Sequence, residues 1–250
     1  MKPNPYQTGL TLLEIMIALL IGSFLLGGVL QIFIGSQQTY RMQQNLSRLQ
    51  ENGRFAIDFL AHDIRMASYW GCMTRVNGDI AGTEGASGAP DSITFKGAFI
   101  LTPTGSCGSP VNVAGSCGAV NCYTDLTSTI TYTITTPSAT TTMPTPHLTL
   151  YRNTNNTTNP LIEGIQNMQI LYGADTDADG AANYYVPAGT GGLNMEKVVS
   201  IRISLLAFTL DDNLTTQPMA YTYNGVTTTP ADNRIRRIFN TTIAVRNRLQ

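Results

Sequence analysis

One acid stands alone in an apolar run. From Leu10 to Ile34 the chain reads LTLLEIMIALLIGSFLLGGVLQIFI, and its only formal charge is Glu14. A carboxylate in lipid costs several kcal/mol unless a cation neutralises it, so such an acid points to a function. The run follows a polar leader, residues 1–9, that closes at Gly9. A cut after Gly9 would free an α-amino group on Leu10, about one helical turn from Glu14, within reach of the same acid on a packed neighbour. A second cluster is Asp175-Thr176-Asp177-Ala178-Asp179-Gly180. Alternating acids in a tight Gly turn aim several oxygens at one point, as hard Ca²⁺ requires. The twelfth position of an EF-hand would fall on Val186, so that form is excluded. Asn183, a backbone carbonyl or Glu196 could complete a Ca²⁺ shell on a β-loop. The competing reading is a plain polar turn, for which Asp and Gly are natural.

Gly9-Leu10-Thr11-Leu12-Leu13-Glu14 resembles the processing site of type IV prepilins and pseudopilins. The resemblance implies cleavage after Gly9 by a prepilin peptidase, N-methylation of Leu10, and a role for Glu14 in admitting the subunit to a filament. Leu10 departs from the family's usual Phe, at a position that mainly needs to be apolar. An ordinary signal peptide fits less well, because the polar cut site precedes the apolar run and no A-x-A pattern follows it. A plain anchor fits the length, about 25 residues or on the order of 37 Å of helix, but leaves Glu14 without a reason.

Only 12% of the 250 residues are charged and the net charge is −1, so no basic surplus points to nucleic acid. Thr, Ser, Asn and Gly dominate after residue 76, with short β-branched runs between them, as in an extracytoplasmic β-rich domain. Cys72, Cys107, Cys117 and Cys122 all follow the apolar run. An even number in an exported domain suggests two disulfides with three connectivities. The pairing adopted is Cys107 with Cys117 and Cys72 with Cys122. Zinc is the weaker reading, because no His lies near the Cys117–Cys122 spacing.

The apolar run passes without a break into a helical pattern. Leu46, Leu49, Ala56, Leu60, Ile64 and Ala67 recur on one face, with Phe55 and Phe59 widening the stripe, and Gly71 is the expected stop. Residues 50–72, QENGRFAIDFLAHDIRMASYWGC, resemble the PilW group of minor pilins, as do residues 237–247 near the other end. Strands are expected over residues 92–101, 127–135, 147–152, 161–172, 198–210 and 238–245, with loops over 104–118, 137–146 and 154–160. The organisation is then a leader (1–9), a transmembrane or filament-core helix (10–34), its amphipathic continuation (35–70) and a β-rich globular domain (71–250). The fold class is α+β and pilin-like, a long N-terminal helix packed on an antiparallel sheet.

Neither His62 nor His147 accompanies a nucleophile motif, and no metal-protease or phosphate-loop pattern occurs, so no enzyme is expected. The Arg234, Arg236, Arg237, Arg246 and Arg248 group is the one candidate for DNA, and a solvated face is the simpler account. The resemblance implies a minor pilin that primes type IV pilus assembly and sits at or near the tip. Its partners would be other minor pilins, the major pilin, the prepilin peptidase and a large tip adhesin. It would sit in the bacterial inner membrane, its C-terminal domain periplasmic, before entering the pilus. The J-type pseudopilin of a type II secretion system and a tip subunit that binds DNA, glycan or a host surface are the alternatives.

Overall fold

The computed structural model describes residues 11–70, 75, 77–103, 123–137 and 147–249. Gly9, Leu10 and all four cysteines lie outside them, as do the expected loop over 104–118 and most of that over 137–146. The chain divides into two compact units, one ending at Gln44 and the other beginning at Asn45.

The first unit is helical. Helix α1 runs Leu12–Met66, and up to Gln44 its side chains are almost all exposed. Ser23 donates to the Leu20 carbonyl at 2.8 Å and Thr39 to the Gly35 carbonyl at 2.9 Å. Hydroxyls satisfied within their own helix need no partner from an apolar surrounding.

The second unit holds the rest of α1. Leu49, Gly53, Ala56, Leu60 and Ile64 are buried at spacings of three and four, so one stripe of the helix faces the core. Burying a side chain such as Leu60 or Ile64 contributes about 1.5–3 kcal/mol. Phe55 and Phe59 do not belong to that stripe: they are 48% and 46% exposed. At 100° per residue they fall beyond its edge. The helix ends before the expected Gly71. Ser68 adopts φ 63° and its amide leaves the helix to donate to the Lys96 carbonyl at 3.3 Å. A left-handed residue just past the last turn is an ordinary helix stop.

Two antiparallel sheets follow, not one. The first is a meander of β1 (Ile80–Thr83), β2 (Ser92–Pro103), β3 (Tyr123–Thr135), β4 (Thr149–Thr154) and β5 (Thr157–Glu163), in that spatial order. The second contains β6 (Ile165–Ala174), β7 (Tyr184–Val186), β8 (Val198–Phe208) and β11 (Arg236–Ala244), in the order β11-β8-β6-β7. A separate hairpin pairs β9 (Tyr221–Tyr223) with β10 (Val226–Thr228). Phe95, Tyr132 and Leu150 of the first sheet share one core with Met168, Ile203 and Leu205 of the second and with the α1 stripe.

The stretch 161–172, expected as one strand, is broken at Gly164. There φ is +80°, the amide donates to the Leu148 carbonyl at 2.9 Å, and the carbonyl accepts from Phe208 of β8 at 2.8 Å. The chain thus changes sheets at a residue without a side chain, where a Cβ would lie 2.9 Å from the Phe208 oxygen. The expected loop over 154–160 is mostly strand: Asn155 and Asn156, both at positive φ, turn β4 directly into β5.

Candidate functional site

Helix α1 begins with Thr11-Leu12-Leu13-Glu14. The Glu14 amide donates to the Thr11 carbonyl at 3.0 Å and lies 3.3 Å from its hydroxyl. This is the T-x-x-E pattern of a capping box, a start signal carried by the sequence itself. It fixes Glu14 in the first turn, where the helix dipole favours a negative charge. Beyond it, up to Ile34, the helix presents an apolar surface: Leu19 is 69% and Phe24 76% exposed. Mean hydropathy reaches 2.4 over an 18-residue window, enough to cross a bilayer. A lone carboxylate at the start of such a helix calls for a cation from another molecule.

The acidic turn joins β6 to β7. Carboxylate oxygens of Asp175, Asp177 and Asp179 lie within 4.8 Å of one another. Asp175 is buried and accepts from the Ala178 amide at 2.6 Å and the Gly180 amide at 2.8 Å. Burial pushes its carboxyl up, but the Gly180 and Ala178 amides, together with hydrogen bonds from Asp177, outweigh that and hold it below the usual range. Asp179 accepts from Ala181 at 2.8 Å, and Asn183 accepts from the Thr176 amide at 2.6 Å while its side-chain amide reaches Asp177 at 3.3 Å. Asn183 is therefore at the turn, as expected. Glu196 is not: it accepts from Arg75 at 2.6 Å and from the Gly78 amide at 2.7 Å. Three acid oxygens in one turn suit a hard cation, and the Lys197 ammonium, 3.3 Å from the Thr176 carbonyl, brings one positive charge nearby.

The arginines do not form the expected solvated face. Arg234 donates to the Thr209 carbonyl at 2.8 Å and to that of Leu210. Arg236 is paired with Asp232 at 2.7 Å, its side chain 7% exposed, and lies over the Tyr221 ring. Arg248 is buried against Asp79, which also pairs with Arg75 at 3.0 Å. Burial raises the Asp79 carboxyl, but hydrogen bonds from Ser68, Arg75 and Arg248 and the Arg248 charge bring it below the ordinary range. Three of the five guanidinium groups are thus spent on holding the chain's last turns in place. Only Arg237 and Arg246 stay exposed, which leaves no basic stripe there for DNA.

Comparison with known proteins gives two family matches. The prokaryotic N-terminal methylation motif matches residues 4–30, and Type IV Pilus-assembly protein W (PilW) matches residues 131–247. The two matches together support a PilW-type minor pilin. The PilW match covers the second sheet, the acidic turn, Arg234 and Arg236, and stops just short of Arg248. Both matches support a minor pilin role in a type IV pilus, and the methylation motif implies pilin partners and processing by a prepilin peptidase. Its motif and apolar helix fit anchoring in the inner membrane followed by entry into the pilus. A type IV-like pilin from Thermus thermophilus is similar in structure, with TM-score 0.45 and 16% identity over 81% of this chain and 99% of that one. No curated protein matches the chain.

Proposed function

We propose that this minor pilin primes pilus assembly and sits at or near the tip in a complex with other minor pilins. The prepilin spans the inner membrane with Lys2 on the cytoplasmic side and its β-rich unit in the periplasm, in line with the positive-inside rule. Cleavage after Gly9 supplies the α-amine of Leu10, which pairs with the Glu14 carboxylate of an adjacent helix. Glu14 carries this reading: it is the one charge on an apolar helix surface and is held in the first turn by its own cap. The two disulfides and a Ca²⁺ ion on the Asp175–Asp177–Asp179 turn are part of the proposal, as devices that order the periplasmic unit. The role is that of an assembly subunit and not of an enzyme.

The test is the intact mass of the chain from membranes with and without prepilin peptidase. Loss of residues 1–9 with gain of one methyl group, only when the peptidase is present, is expected. Glu14→Ala should be processed yet fail to recover neighbouring minor pilins in pull-downs. An uncut wild-type chain in both strains would sink the reading.

A further inference from the structure

The outer strands of the two sheets are built differently. β5 carries Pro160 and a register shift against β4 at Leu150/Tyr151. Both features stop a sheet edge from templating another strand. β7 has only three residues. β11 has none of these protections: its nine residues pair with β8 without a shift and include no proline.

The direction of its free groups follows from the ladder. The Val245 amide donates to the Val199 carbonyl at 2.8 Å, and the Ile235 carbonyl accepts from Thr209 at 2.9 Å. Odd-numbered residues therefore turn their backbone groups toward β8. Ile238, Asn240, Thr242 and Ala244 turn theirs to the open side, where no backbone partner meets them among the described residues.

A groove of about 400 Å³ runs beside this edge, lined among others by Arg54 and Ile57 of α1 and by Arg237 and Phe239 of β11. Its two charges have one sign. Arg237 makes no ion pair among the described residues, and Arg54 makes only a 3.9 Å contact with Asp58 between side chains 83% and 64% exposed. Such a contact contributes little.

We propose that the β11 edge receives an extended strand of a neighbouring pilin-type subunit, which turns a carboxylate toward Arg54 and Arg237. The inference rests on the assembly reading and names the surface that reading lacks. Strand addition takes its affinity from main-chain hydrogen bonds and its selectivity from alternate side chains. Here the edge supplies the first and the guanidinium pair the second. A second copy of this chain suits the site less, because β11 pairing with β11 brings arginine and no acid.

The test places the photo-crosslinker p-benzoylphenylalanine at Thr242 of the full chain, in cells that make pili, and identifies the adduct by mass spectrometry. One adduct is expected, with another chain bearing an N-terminal methylation motif. It should fall at least about tenfold with Asn240→Pro, which removes an outward amide and leaves the β8 ladder intact. Arg237→Glu should lower it similarly. That variant touches no ladder bond, so it decides the matter if the proline variant loses its melting transition. An adduct only with a second copy, an adduct equal in wild type and both variants, or none at all while the chain is processed and pili form, overturns the proposal. An unprocessed chain instead fails the assembly reading.

Discussion

The Tyr132 hydroxyl donates to the Asp63 carboxylate at 2.6 Å, joining a buried acid on α1 to the middle strand of the first sheet. Arg152 of β4 donates to the same carboxylate oxygen at 2.7 Å. Burial first, and then the neighbouring carboxylate, push the Tyr132 hydroxyl far above its ordinary range, so it stays a donor. The triad fixes the rotation of the helix against the sheet, because a helix turned by one residue carries Asp63 away from both partners. Asp63→Ala leaves Tyr132 and Arg152 without their acceptor and should cost about 3–5 kcal/mol, less whatever water returns to the part-exposed Arg152. Tyr132→Phe should cost about 1.5–3 kcal/mol. Denaturant unfolding of the full chain in detergent, read as a double-mutant cycle, checks both, and additive losses would deny the coupling.

Gly53 is set by contact, not by helix propensity. A Cβ there would stand 2.2 Å from the Phe239 ring, so at this point α1 can approach β11 so closely because residue 53 has no side chain. Gly53→Ala gains roughly 0.5–1 kcal/mol of helix propensity but must displace the ring, and overpacking costs about 1–3 kcal/mol. A net loss of stability is expected, and Phe239→Leu should recover part of it in the double variant. A stabilised Gly53→Ala chain would show that the ring moves freely.

Much of this was legible in the residues, and the failures have physical causes. Helix periodicity gave the buried face through Leu49, Ala56, Leu60 and Ile64, because a 3.6-residue period is a strong local signal. Phe55 and Phe59 misled, since an apolar side chain says nothing of which neighbour covers it. Gly164 and the Asn155-Asn156 turn sat inside runs that alternation alone could not cut. The arginine clamp was hidden for another reason: Asp79 and Arg248 are 169 positions apart, and no local pattern predicts that pairing. Asp63 left a trace, as an acid inside an otherwise apolar helix face.

Stability should fall in mild acid through His147. Burial, followed by the nearby Arg234 charge, lowers its imidazole below the ordinary 6.5, against the pull of Glu163 and Asp211. The ring packs edge-on to Phe208 at 6.1 Å. The unfolded chain then takes up a proton at higher pH than the folded one. This contribution is complete above the unfolded value and is lost as pH falls toward the folded one. His147→Gln should flatten the stability profile as pH falls below the ordinary imidazole value of 6.5. An unchanged slope in that variant would assign the acid sensitivity elsewhere.

The acidic turn makes a prediction about calcium concentration. Asp175 already uses both oxygens on the Ala178 and Gly180 amides, whereas Asp177 and Asp179 each commit one oxygen to the turn. A cation would meet a partly filled set of ligands and a neighbouring ammonium on Lys197, so affinity should be in the weak range of extracellular modules, about 10⁻⁴–10⁻³ M. Stabilisation by a ligand grows with its concentration over the dissociation constant. Ca²⁺ should therefore raise the melting temperature at around 1 mM and above but not at micromolar levels. A chelator should reverse the shift, and Asp177→Asn with Asp179→Asn should abolish it. Equal melting with and without millimolar Ca²⁺ would mean that amides and Lys197 alone balance the three acids, and the turn would then be a polar connection between β6 and β7.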